Sequence, residues 1–138
     1  MTVRFNDLEV GSTIPERVMP PLARVQIAMY AGASGDFNPI HIDDEQARSN
    51  GLPGIIAHGM LPMAFLGRLL TDWVPQRSIR KFSARFTAMA FPGDSITCRG
   101  RVTAKSDSPA GKLVELELSA VNQKGEPILA GSAHVVLD

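Results

Sequence analysis

The chain of 138 residues has one cysteine, no excess charge of either sign and no uninterrupted apolar run of membrane length. Cys98 alone allows no intrachain disulfide and no cysteine cluster for zinc. Lys and Arg number 14 and so do Asp and Glu, a net charge of zero. A balanced chain has no long-range attraction for nucleic acid or for anionic membranes, so neither partner is expected. The most apolar stretch, residues 55–70, is interrupted by His58 and Arg68 and is too short to span a bilayer. The first residues show no basic segment followed by an apolar run, the mark of a signal peptide, and a cytoplasmic setting is expected. No internal repeat, low-complexity tract or linker divides the chain, so one domain is expected across residues 1–138. The apolar share of 44% and charged share of 20% suit an ordinary folded core.

What the chain does have is a concentration of polar, proton-handling groups in residues 30–43. Asp36, Asn38, Pro39 and His41 fall within six positions, directly after the turn formers Ser34 and Gly35. Residue 38 precedes a proline and is pushed towards extended geometry, while Pro39 fixes its own φ. These restrictions hold Asp36 and His41 in a limited set of relative positions. A carboxylate and an imidazole gripping one water can remove a proton at one end of a bond and deliver one at the other. Histidine suits the task because its reference pKa of about 6.5 lies near neutrality. The structural alternative is that Asp36 caps the following turn and His41 packs as a loop residue. His41 with Asp43 or His58 as a metal site has no cysteine and no regular spacing behind it. Ser34-Gly35 does not match the strained elbow of a serine nucleophile.

Around this loop the spacing of Leu22, Val25, Met29 and Ala33 predicts an amphipathic helix over residues 22–33, stopped at Ser34-Gly35. One or two helical turns are expected over residues 43–49, acidic at their start as the helix dipole prefers. Residues 59–73 predict one helix that is apolar nearly all round, and therefore buried. Pro62 is tolerated only in a first turn, which sets the start of that helix at His58-Gly59. The free N–H groups of Gly59 and Met60 then form a site for a partly negative oxygen. After Pro75 the period changes to two, predicting strands over 79–91, 94–104, 112–121 and 127–137. A further short strand at 16–19 is confined by proline to an edge or an end. Short turns between consecutive strands imply antiparallel neighbours. The fold class expected is α+β, an antiparallel sheet of four or five strands on one buried helix. His134 reads as a packing residue of the last strand. Arg77, Arg80, Lys81, Arg85, Arg99, Arg101 and Lys105 face a single acid, Asp94, in their span. Singly they read as a solvated sheet surface, and together they suit an acidic ligand such as a phosphorylated cofactor.

The octapeptide Ser34-Gly35-Asp36-Phe37-Asn38-Pro39-Ile40-His41 closely resembles the signature of the MaoC-like (R)-specific enoyl-CoA hydratases, a branch of the hot dog superfamily. Tyr30-Ala31, Ala57-His58-Gly59-Met60, Arg85-Phe86 and Pro92-Gly93-Asp94 agree as well, so the likeness spans nearly the whole chain. The chain is also similar to catalytic subunits of mycobacterial (3R)-hydroxyacyl-ACP dehydratases. The resemblance implies a hot dog fold, with a sheet wrapped around a long central helix and paired sheets in a dimer. It implies reversible hydration of a trans-2-enoyl thioester, with CoA favoured over acyl carrier protein and no metal or redox cofactor. It makes Asp36 and His41 the catalytic pair, has Asn38 hold loop and water, and has the Gly59 N–H polarise the thioester carbonyl. Ser34, Gly35, Pro39, His58, Met60 and Arg85 are implied as substrate-binding positions. Gly67 and Ala23 stand where some relatives carry hydroxyl residues. A hot dog thioesterase and a non-catalytic acyl-binding subunit of a heteromeric hydratase are the alternatives. The geometric expectation is that Asp36, His41 and the Gly59 N–H converge on one small cavity, with His41 not turned into the core.

Overall fold

The computed structural model describes residues 2–138. Five strands form one antiparallel sheet: β1 (Arg17–Val18), β2 (Ile79–Phe86), β3 (Thr97–Ser108), β4 (Gly111–Val121) and β5 (Pro127–Leu137), in the order β1-β3-β4-β5-β2. Three α-helices accompany them: α1 (Arg24–Ser34), α2 (Asp44–Ser49) and α3 (Met60–Trp73). This is the α+β arrangement of a curled sheet with a central helix.

Alternation decides which face of the sheet meets α3. Val102, Leu116 and Ala133 are aligned across β3, β4 and β5, and all three are buried. Their neighbours Arg101, Glu117 and Ser132 take the opposite face, where Arg101 pairs with Glu117 at 2.8 Å. From the helix side Leu61, Pro62, Phe65, Leu66, Leu69 and Leu70 are buried. Burying each such side chain contributes about 1.5–3 kcal/mol.

β2 docks on α3 through two rings and two glycines. Built at Gly59, a Cβ would lie 3.0 Å from the Phe86 ring, and at Gly67 it would lie 3.2 Å from the Phe82 ring. Eight helical residues rise ~12 Å and four strand residues ~13 Å, so the two contacts repeat in step. Phe86 therefore sits at the start of α3.

Several expectations need correction. β2 does not neighbour β3: it crosses the sheet and pairs with β5. It ends at Phe86 rather than residue 91, because the amides of Thr87 and Ala88 both donate to the Ile128 carbonyl, which breaks the one-to-one ladder with β5. β3 begins at Thr97 and runs to Ser108, so the hairpin turn is tighter than residues 106–111 suggested. In α1 the buried residues are Ile27 and Ala31, while Val25 and Met29 are exposed. Both sets repeat every four residues, and local periodicity alone could not choose between them. α3 is not enclosed all round, since Met60, Ala64, Arg68, Thr71 and Asp72 are exposed on the side the sheet does not reach. His134 is half-buried on the outward face and stands 3.3 Å from Glu115 across the ladder. The edge strand at residues 17–18, the turn at Ser34-Gly35 and the start of α3 agree with their predictions.

Candidate active site

The loop between α1 and α2 is built by short-range hydrogen bonds. Gly35 closes α1 in the left-handed conformation (φ 74°), where a side chain would be strained, and its N–H donates to Ala31. The Ser34 hydroxyl accepts from the Asp36 N–H at 3.2 Å. Asp36 Oδ1 accepts from the Asn38 N–H, and Asn38 Oδ1 accepts from the Ile40 N–H, each at 3.2 Å. Asn38 thereby caps the single 3-10 turn Pro39–His41, with Pro39 in the first position, where no amide is lost. Asp43 in turn caps α2 through Glu45 and Gln46.

His41 is 8% exposed yet its reactive edge is not turned into the core. Its Nδ1 lies 2.8 Å from the Ile56 carbonyl, which can only accept, so Nδ1 carries the hydrogen. Nε2 is left free and faces Asp36 Oδ2 at 3.8 Å. The Asp36 side chain is 52% exposed, so solvent reaches the pair from that side. Asp36 thus does both things considered for it, capping the turn with one oxygen and offering the other to His41.

The second half of the site arrives from residues 55–60. The Ile56 N–H donates to Ile40 and the Ala57 N–H to Ala90, which lays this segment against the loop. His58 is 2% exposed, and its Nε2 lies 3.0 Å from the Asp36 carbonyl oxygen. Its ring is stacked on His41, centroids 3.8 Å apart and planes 24° from parallel. Tyr30 packs on His58 at 4.8 Å with a 59° tilt. His58 Nδ1 is buried with no hydrogen-bond partner among the described residues. Leaving a buried polar atom unpaired costs about 1–3 kcal/mol. Directly after His58, Gly59 precedes the first turn of α3, and no backbone acceptor takes the N–H of Gly59 or Met60 among the described residues. The amide edge of α3 therefore starts one residue from a ring that touches both members of the pair.

Asp36, His41 and His58 also bring possible metal ligands within 4.8 Å of one another. Their arrangement does not suit a resident ion. Imidazole ligates in its ring plane, and stacked rings with centroids 3.8 Å apart and planes only 24° from parallel cannot both contain one metal at normal bond length. Each ring also spends one nitrogen on a backbone carbonyl.

Arg85 is not brought to this loop within the chain. Phe86 and Ala84 point to the α3 face, so Arg85 takes the outward face with Ser83. Three of the basic residues are committed elsewhere: Arg99 to Glu16, Arg101 to Glu117, and Lys105 to the Leu8 carbonyl beneath the Phe5 ring. Sequence reading quoted Phe86 only as part of the family likeness and gave it no place in the site, where its ring covers Gly59; it missed the Ile56 carbonyl, which orients His41. The aromatic residues at 82 and 86, at strand spacing opposite two helix glycines, were the available signal for Phe86; a carbonyl leaves none. A groove of about 520 Å³ lined by Val3, Leu8, Leu69 and Trp73 opens at the other end of α3 and touches none of these groups.

The chain is similar to known proteins in sequence and in fold. Residues 6–124 match the family described as MaoC like domain. The (R)-specific enoyl-CoA hydratase of Aeromonas caviae is 31% identical over 133 residues, covering 94% of this chain and 96% of that protein. The unliganded R-hydratase of Pseudomonas aeruginosa superposes with a TM-score of 0.84 at 27% identity, over 99% of this chain and 86% of that one. Fatty acid synthase 2 of Mycosarcoma maydis is 38% identical over 114 residues, 76% of this chain, which spans only 3% of that protein's length.

Proposed function

This chain belongs to the MaoC-like domain family, and from that premise we propose that it is an (R)-specific hydro-lyase, adding water reversibly to a trans-2-enoyl thioester. The observation that carries the reading is the anchored His41. Its Nδ1–H is spent on Ile56, so the free Nε2 and the Asp36 carboxylate, 3.8 Å apart, are near enough for both to contact one water. In the hydration direction that pair takes a proton from the water as its oxygen bonds to C3. The C2=C3 electron pair becomes the C1=C2 bond and the carbonyl pair moves onto the thioester oxygen, giving an enolate. Protonation of C2 from the same pair completes the addition and restores both side chains. General acid–base help of this kind typically contributes ~10²–10⁴-fold.

The enolate oxygen needs a donor, and the Gly59 N–H at the start of α3 supplies it together with the helix dipole. Removing one such donor typically costs ~10²–10³-fold in rate. Ser34, Gly35 and Pro39 hold the loop through the cap and turn described above, and Met60 with Phe86 offers apolar surface to the acyl thioester. No step calls for a metal or redox cofactor.

A CoA thioester is the proposed substrate in preference to an acyl carrier thioester, and a homodimer is the proposed assembly. β2 supports the second point: its eight residues form one border of the sheet, with one long side unpaired. An open strand edge of that length gains by pairing with a second copy.

The test is to incubate the purified protein with crotonyl-CoA and longer enoyl-CoAs, following enoyl absorbance and free thiol. Loss of absorbance without thiol release is the result expected. Thiol release would make the protein a thioesterase, and binding without turnover would leave a non-catalytic subunit.

A further inference from the structure

His58 touches both members of the pair in different ways. Its Nε2–H donates to the backbone carbonyl of Asp36, and its ring face lies on His41. Among the described residues no backbone amide donates to that Asp36 carbonyl, although the rest of the loop is held by its own turn bonds. The peptide joining Asp36 to Phe37 therefore has its orientation set from outside the loop, by His58.

A ring kept for packing alone would not need a nitrogen here. His58 is 2% exposed and its Nδ1 has no partner, so a phenyl ring would fill the same space without an orphaned polar atom. What phenylalanine would lack is the Nε2–H bond to Asp36. One charged group faces His58, the Asp36 carboxylate within 4.8 Å of a ring nitrogen, but the hydrogen bond His58 makes goes to that residue's backbone carbonyl. The other neighbours of His58 are the Tyr30 and His41 rings.

We propose that His58 is a positioning residue that sets the separation of Asp36 from His41, holding the first by its backbone and the second by its ring face. The inference rests on the dyad reading above and deepens it. His58 touches no reacting atom in this role. It acts by keeping two groups on different sides of a proline turn aimed at one water. Misplacement of such groups by about 1 Å typically lowers rates on the order of 10²-fold.

Two substitutions separate the parts of the role. His58→Phe keeps the ring and the stack but removes the donor and the unpaired nitrogen. His58→Gln keeps a donor near the Nε2 position and loses the ring. The expected result is that His58→Phe melts no lower than the parent protein, while kcat on crotonyl-CoA falls on the order of 10²-fold with KM within a factor of about two. His58→Gln is expected to recover part of kcat. Parent-like kcat in His58→Phe, or an activity loss that follows a fall in melting temperature, overturns the proposal. Amide hydrogen exchange needs no substrate and gives a second decision. In His58→Phe the amides of Asn38 and Ile40 should exchange faster while those of β4 stay unchanged, and unchanged loop exchange would also refute the role. If the parent protein hydrates no enoyl thioester, the functional reading fails, and exchange still decides what His58 holds.

Discussion

Asp36 Oδ2 and His41 Nε2 stand 3.8 Å apart, too far for a direct hydrogen bond and near enough for both to contact one oxygen atom. That gap is the geometric basis of the proposed reaction. Asp36→Asn and His41→Ala should each lower kcat for crotonyl-CoA hydration by ~10²–10⁴-fold. The double variant should be little worse than either single one, because the pair acts as a unit. Steady-state absorbance assays check this, and additive losses in the double variant would argue for two independent roles.

Gly131 lies where β5 meets β2, and a Cβ there would stand 2.5 Å from the Ser83 carbonyl oxygen. Backbone cannot yield as a side-chain tip can. Gly131→Ala should therefore destabilise by roughly 2–3 kcal/mol, at the upper end of overpacking effects. The displaced β2 carries Phe86, so activity should fall as well. Gly67→Ala meets only the Phe82 ring, at 3.2 Å, and inside α3 alanine gains about 0.5–1 kcal/mol over glycine, so the net change should stay within about 1 kcal/mol of zero. Urea unfolding of the two variants compares them directly, and equal losses would contradict this packing.

Cys98 is fully buried on β3, and burial pushes its thiol up to about 11, with Arg17 opposing. A thiol-specific reagent at neutral pH should label it only as fast as the protein unfolds. The linkage has a definite sign. A raised folded value favours the neutral thiol, so that stabilisation is whole below pH 9 and is lost as pH rises through about 11. The parent protein should lose more stability than Cys98→Ala across that window, as read from denaturant midpoints.

Asp44 ties α2 to the segment that leads into α3. The Ile55 N–H donating to its Oδ1 at 2.9 Å holds its carboxyl below the ordinary 3.8, and Arg24 adds to this against some desolvation. A depressed carboxylate contributes stability above pH 3.8 that is lost as pH falls through its lower folded value. Asp44→Asn should show a flatter decline of stability below pH 4 than the parent protein. Acid unfolding followed by circular dichroism checks it, and identical acid limbs would remove Asp44 from the account.

How far the sequence carried the fold and the site depends on the range of the interaction. Pro62 located the start of α3 because the constraint is local: a proline has no amide to give and must occupy a first turn. Gly35, Asn38 and Pro39 shaped the loop for the same reason, and Asp36 and His41 lie close enough in the chain for those restrictions to hold them together. Period two located β4 and β5 almost to the residue.

Choices between equivalent local patterns belonged to the tertiary structure. Val25 with Met29 and Ile27 with Ala31 are equally good helical pairs, and only docking determined that the second pair is buried. Nothing between residues 79 and 137 says that β2 crosses to β5, since strand neighbours are set by the sheet as a whole. The placement of Phe86 over Gly59, the Ile56 carbonyl on His41 and the His58 hydrogen bond to Asp36 all follow from that long-range packing. Local stereochemistry thus determined which groups are available, and long-range packing determined which way they face.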